Sequence, residues 1–132
     1  MILFIDDDAE RMSPWIEALV NAGYTCKIAT DPDEALKIIG DEPQIRGVVM
    51  DIMLPVGSLD IAETDAGLLT GFVLMKKLHA ARPGLPIIVL SIRRDCMDRA
   101  KSLSLDFISK TLDNPEDLLH TVRRANIASD KG

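Results

Sequence analysis

Positive charge, cysteine and long apolar runs are all scarce in this sequence, and each shortage removes a class of function. Fifteen Lys and Arg stand against 21 Asp and Glu, for a net charge of −6. A surface that follows a nucleic-acid backbone needs clustered Lys and Arg, so direct nucleic-acid binding is not expected of this chain. Cys26 and Cys96 are the only cysteines and form no CxxC pair. They offer no secreted disulfide framework and read as small buried hydrophobes. No apolar run approaches the roughly 20 residues that a membrane-spanning helix requires. The start also lacks a signal peptide's basic region, because Ile2 to Ile5 lead straight into three aspartates. The expectation is a cytoplasmic chain that does not meet a membrane. Internal repeats and low-complexity tracts are absent as well.

What remains is ordinary globular material. The 132 residues suit one domain, with 47% apolar and 27% charged residues. At this length a fold hides roughly two-thirds of its unfolded surface, enough for one core without staples.

Apolar blocks alternate in type along the chain. Ile2–Ile5 is a short continuous run, as expected of a parallel strand buried on both faces. Met12, Trp15, Ile16, Leu19 and Val20 then recur at helical spacing, with Pro14 in the first turn and Gly23 as a stop. Thr25–Ala29 reads as a second strand. Asp31 reads as the cap of a second helix, with Pro32 at its first position, Asp33 and Glu34 against its dipole and Gly40 at its end. Val48–Met50 is the heart of a third strand. A helix through Phe72, Met75 and Leu78 follows, stopped by Arg82-Pro83-Gly84. Ile87–Leu90 is the clearest strand. Asp95 is expected to cap a short fourth helix through Leu103, Asp106–Ser109 is a fifth strand, and Asn114-Pro115 opens a last helix with Leu118, Leu119 and Val122 inward. Five strands alternating with five helices predict an α/β fold with a parallel sheet covered on both faces.

Open α/β sheets bind ligands beyond the carboxyl ends of their strands, so the residues found there are the informative ones. The first strand is followed by Asp6 and Asp7, the third by Asp51, the fourth by Ser91 and the fifth by Lys110. Clustered carboxylates repel one another unless a cation joins them, and hard oxygen ligands favour Mg²⁺. A carboxylate also serves as a nucleophile that forms an aspartyl phosphate. Phosphoryl transfer then calls for Mg²⁺, a Lys on the spreading oxygen charge and a hydroxyl donor. All of these parts are present.

The runs ILFIDDD, VVMDIMLP, IIVLSI and DFISK resemble, in the right order and over nearly the whole chain, the receiver domains of response regulators. The resemblance implies a doubly wound five-stranded parallel sheet in flavodoxin-like order 2-1-3-4-5, with residues 1–127 as the receiver domain and 128–132 as a tail. It implies that Asp51 accepts the phosphoryl group. Asp7 would be a direct Mg²⁺ ligand, Asp6 its companion acting mostly through water, and the Met53 backbone carbonyl a further ligand. Ser91 would contact the phosphoryl group, Lys110 would pair with it, and Phe107 would be the switch aromatic. The implied donor is a sensor histidine kinase or a phosphotransfer protein. The implied output surface, which also serves for homodimers, is the face made by the fourth helix, fifth strand and fifth helix.

Three departures stand out. Thr111 follows Lys110 where the family usually has Pro, so the family's cis peptide is not demanded. Ile92 follows Ser91 where Ala or Gly is usual, adding bulk at the pocket mouth. Gly71, sixteen residues beyond Pro55, matches a Gly that the family places four beyond, so a long acidic loop of about 56–70, with Asp60, Glu63 and Asp65, is expected.

Blander readings compete. Asp6, Asp7 and Asp8 suit a helix N-terminus, Ser91 a turn, Lys110 a solvated surface, and Phe107 the core. His79 and His120 read as surface residues. Asp6-x-Asp8 after a strand also resembles the haloacid-dehalogenase phosphatases, with Asp6 as nucleophile and Asp8 as acid, but that leaves Asp51 unexplained. A receiver-like binding module that is never phosphorylated is the third alternative.

Overall fold

The structure is a computed structural model, and it describes residues 1–8, 10–55, 57, 59 and 69–130. In chain order the elements are β1 (Ile2–Ile5), α1 (Ser13–Asn21), β2 (Cys26–Ala29), α2 (Pro32–Asp41), β3 (Gly47–Met50), α3 (Thr70–Ala81), β4 (Ile87–Ser91), α4 (Met97–Ser102), β5 (Asp106–Ser109) and α5 (Pro115–Arg124). Short 3-10 turns, Glu10–Met12 and Arg94–Cys96, lead into α1 and α4. The five strands form one parallel sheet in the order β2-β1-β3-β4-β5, as expected.

The strands are apolar throughout because both faces are covered. Successive side chains alternate between faces. Leu3, Ile5, Val48, Met50, Ile87 and Val89 therefore pack against α2, α3 and α4, in a layer with Ile39, Leu74, Leu78 and Ala100. Ile2, Phe4, Val49, Ile88 and Leu90 point the other way and meet Trp15, Leu19, Leu118 and Val122 of α1 and α5. β1 lies beside the centre of the sheet and is fully buried, whereas edge strand β2 is only partly covered.

Helix ends follow their capping chemistry. Asp31 accepts from the Glu34 amide at 2.8 Å, with Pro32 opening α2. Asn114 and Asp117 form a reciprocal capping box ahead of α5. Gly40 does not end α2, which continues to Asp41. The expected cap of α4 is absent as well. Asp95 instead pairs with Arg93, and no side chain caps that helix.

At the foot of the sheet, Tyr24 Oη donates to the Ile127 carbonyl at 2.7 Å, and Asp130 accepts from the Thr25 amide at 2.8 Å. Residues following α5 are thereby held against the start of β2. Most of the expected acidic loop, including Asp60, Glu63 and Asp65, lies outside the described residues.

Candidate functional site

Parallel strands present their carboxyl ends on one edge, and register decides which of them meet. Ile5 pairs with Ala29 and Met50, and Ser91 with Ser109. Asp6, Asp51 and Lys110, each the first residue past its strand, are thus brought together. Lys110 Nζ donates to Asp6 Oδ2 at 2.6 Å and to Asp51 Oδ2 at 3.0 Å.

The remaining carboxylate oxygens are held by backbone. Asp6 Oδ1 accepts from the Asp8 amide at 2.8 Å, and Asp51 Oδ1 from the amides of Ile52 at 2.7 Å and Met53 at 3.3 Å. Asp6 is 1% and Asp51 8% exposed, so the three charges interact in a partly desolvated setting where Coulomb forces are strong. Burial pushes the Asp6 carboxyl above its ordinary pKa, and the Lys110 hydrogen bond opposes that without reversing it. Burial pulls Lys110 down, but the hydrogen bond to Asp6 and the charge of Asp51 outweigh it and leave the ammonium raised. Lys110 is therefore charged at neutral pH.

These groups line an open pocket of about 430 Å³ with Asp7, Asp8, Arg11, Trp15, Met53 and Ile92. Asp7 is exposed at the rim. Ile92 is 60% exposed at the mouth, where the sequence predicts bulk. Asp8 is ion-paired with Arg11.

Among the described residues, no three His, Cys, Asp or Glu side chains form a ready metal cluster, since Lys110 sits between two of the carboxylates. The donor chemistry nevertheless fits a hard divalent cation. Four carboxylates line the pocket with Arg11 and Lys110; with Asp8 paired to Arg11, Asp6, Asp7 and Asp51 face the Lys110 ammonium, leaving two negative charges over, and oxygen is what Mg²⁺ prefers.

Other expected site residues lie apart from the pocket. Ser91 is fully buried at the end of β4, and its hydroxyl accepts from the Arg93 amide at 3.1 Å. Phe107 is half-buried and lines a separate cleft against α5 with His120 and Arg124. His79 is a correction: it is half-buried, with Nε2 at 3.0 Å from the Leu85 carbonyl oxygen.

Two features were not anticipated. Trp15 lines the acidic pocket, because the turn of α1 that carries it stands over the strand ends. The periodicity of α1 marks Trp15 as inward but not which end of the sheet it covers. Gly71, at the start of α3, donates its amide to the Ile52 carbonyl at 2.7 Å. A Cβ there would lie 2.5 Å from both the Asp51 carbonyl oxygen and Ile52 Cα, so only glycine permits this approach. The sequence match of Gly71 to the helix-opening glycine is the signal that leads to it.

Comparison with known proteins identifies the family and the fold. The profile of the response regulator receiver domain matches residues 2–123. The transcriptional regulatory protein CssR of Bacillus subtilis is 29% identical over 126 residues, spanning 93% of this chain and 49% of the relative. The response regulator MprA of Mycolicibacterium vanbaalenii is 31% identical over 103 residues, spanning 77% of this chain and 38% of the relative. The chain thus spans about half or less of the length of these relatives. Among solved structures, the receiver domain of NtrX from Brucella abortus superposes with a TM-score of 0.76 at 27% identity, covering 97% of this chain and all of that one.

Proposed function

The chain belongs to the response regulator receiver domains, and we propose that it acts as a phosphoacceptor, taking a phosphoryl group from a partner's phosphohistidine onto Asp51. The observation that carries this reading is the ammonium of Lys110 bridging Asp6 Oδ2 and Asp51 Oδ2 at 2.6 and 3.0 Å. With the family shown, the phosphatase reading of Asp6 and Asp8 is set aside.

Each residue then has a task. A carboxylate oxygen of Asp51 attacks phosphorus, forming a P–O bond as the P–N bond to the donor's imidazole breaks. The amides of Ile52 and Met53 fix the orientation of the carboxylate. Lys110 offsets charge on the phosphoryl oxygens and needs no solvent reorganisation, because it is already in place. Asp6, Asp7, Asp51 and the Met53 backbone carbonyl would hold Mg²⁺, which when bound supplies further positive charge for the phosphoryl oxygens.

Ser91 and Phe107 serve the switch. The Ser91 hydroxyl turns from the Arg93 amide toward the phosphoryl oxygens, and Phe107 follows, changing the surface of α4, β5 and α5. That surface would receive the downstream partner or a second copy. A sensor histidine kinase or phosphotransfer protein is the donor, the cytoplasm is the setting, and no turnover of an external substrate is involved. Among the described residues no helix is long and apolar enough to cross a membrane.

The test is incubation with acetyl phosphate and Mg²⁺, followed by intact-protein and peptide mass spectrometry. An acid-stable, base-labile phosphoryl group on Asp51, absent from Asp51→Asn, is expected. Undiminished labelling of Asp51→Asn, or labelling at Asp6, would overturn the assignment.

A further inference from the structure

The loop between β5 and α5 departs from the family where it matters most, directly after Lys110. Thr111 has the backbone N–H that a proline lacks, and the structure uses it. Ser109 Oγ lies 3.2 Å from the Thr111 amide, 3.1 Å from the Leu112 amide and 3.1 Å from Thr111 Oγ1. A hydroxyl has two acceptor sites and one proton. With both sites taken by the two amides, its proton goes to Thr111 Oγ1, and the hydrogen-bonding capacity of Ser109 is complete. A second closure surrounds the first: the Ser109 amide donates to Asp113 Oδ2 at 2.8 Å, and the Asp113 amide donates to the Ser109 carbonyl at 3.0 Å. The Lys110 amide is tied to the Ser91 carbonyl at 3.0 Å.

We propose that Ser109 is a positioning residue: its buried hydroxyl, gathering the amides of Thr111 and Leu112, sets the course of the loop that places the Lys110 ammonium between Asp6 and Asp51. The hydroxyl does here, through hydrogen bonds, what ring stiffness does where proline follows the lysine. Ser109 is 5% exposed, whereas Thr111 and Leu112 are exposed. Removing the hydroxyl therefore lets water satisfy the two amides. The fold survives, and the direction of the loop is lost. Asp113 closes the same turn through hydrogen bonds to the backbone of Ser109, whereas the hydroxyl reaches the residues following the lysine. The inference rests on the reading of Asp51 as phosphoacceptor and adds what holds that site's cation in place.

The experiment compares Ser109→Ala, Ser109→Thr, Lys110→Ala and the Ser109→Ala/Lys110→Ala double variant. Two readouts are used: the rate of Asp51 phosphorylation by acetyl phosphate with Mg²⁺, and the ε-methylene NMR signals of Lys110. Ser109→Ala should slow phosphorylation by about tenfold or more, since small misplacements of a catalytic group are costly, while Ser109→Thr restores it. In the Lys110→Ala background, loss of the hydroxyl should cost nothing further, which a general structural defect would not reproduce. The two ε protons of Lys110, distinct in a fixed side chain, should merge in Ser109→Ala. An equal rate loss with or without Lys110, or a Lys110 that stays fixed in Ser109→Ala, would overturn the proposal. Failure of the wild type to label Asp51 would fall on the phosphoacceptor reading alone, because the NMR arm needs no phosphoryl group.

Discussion

Replacing Gly71 with alanine should destabilise the protein, although alanine is the better helix former. Gly71 is the second residue of α3, where the substitution would gain up to about 1 kcal/mol in helix propensity. The new Cβ, however, would stand 2.5 Å from the Asp51 carbonyl oxygen and from Ile52 Cα. Carbon contacts are best at about 3.5–4.0 Å, so both are roughly 1 Å too short, and both partners are backbone that cannot rotate aside. The start of α3 must withdraw, which costs about 1–3 kcal/mol of overpacking strain. Withdrawal also stretches the 2.7 Å bond from the Gly71 amide to the Ile52 carbonyl, worth about 1 kcal/mol. The net loss is about 1–3 kcal/mol, or a melting point lower by roughly 4–10 °C. Gly40 is the control: it also lies within a helix, but a Cβ there has nothing within 4 Å. Gly40→Ala should therefore gain about 0.5–1 kcal/mol. Urea and thermal unfolding of the two variants measure both numbers. A Gly71→Ala protein as stable as the wild type, or changed with the same sign as Gly40→Ala, would refute the close-approach argument.

Four further outcomes are expected. Because Trp15 shares its pocket with Asp6, Asp7 and Asp51, its emission should change on titration with Mg²⁺, and Asp7→Ala should weaken that response; a flat titration while calorimetry shows binding would contradict the placement. Burial raises the Cys26 thiol to about 11 from an ordinary 9.0, so alkylation of the native protein should be slow at pH 8 and accelerate only as pH nears 11. A raised folded pKa also means that stability from Cys26, fully present below pH 9.0, is lost as pH rises toward 11, so Cys26→Ser should flatten unfolding curves over that window, and an unchanged slope would count against it. Finally, Asp117→Ala removes half of the capping box of α5 and should cost about 1 kcal/mol in urea unfolding, while Asp95→Ala, whose carboxylate caps no helix, should cost less.

Much of this protein was legible in the residues because its rules are local or periodic. Continuous apolar runs such as Ile2–Ile5 mark strands buried on both faces, and Asp31-Pro32 and Asn114-Pro115 mark helix starts through chemistry complete within four residues. The alternation of strand and helix then dictates a parallel sheet, and a parallel sheet puts Asp6, Asp51 and Lys110 on one edge wherever else the chain goes. Hence the sequence by itself determined the parallel α/β fold and the sheet edge on which Asp6, Asp51 and Lys110 gather. Only the tertiary structure decided how these groups share charge and what holds them there. Lys110 reaches residues 104 and 59 positions away, a pairing fixed by register rather than by any local pattern. The place of Trp15 in the pocket wall, the glycine gap against Asp51 and the pairing of Asp95 with Arg93 instead of a helix cap likewise depend on distances between elements. Sequence periodicity fixes which way a side chain faces along its own element, and it carries no information on how far that element stands from the next.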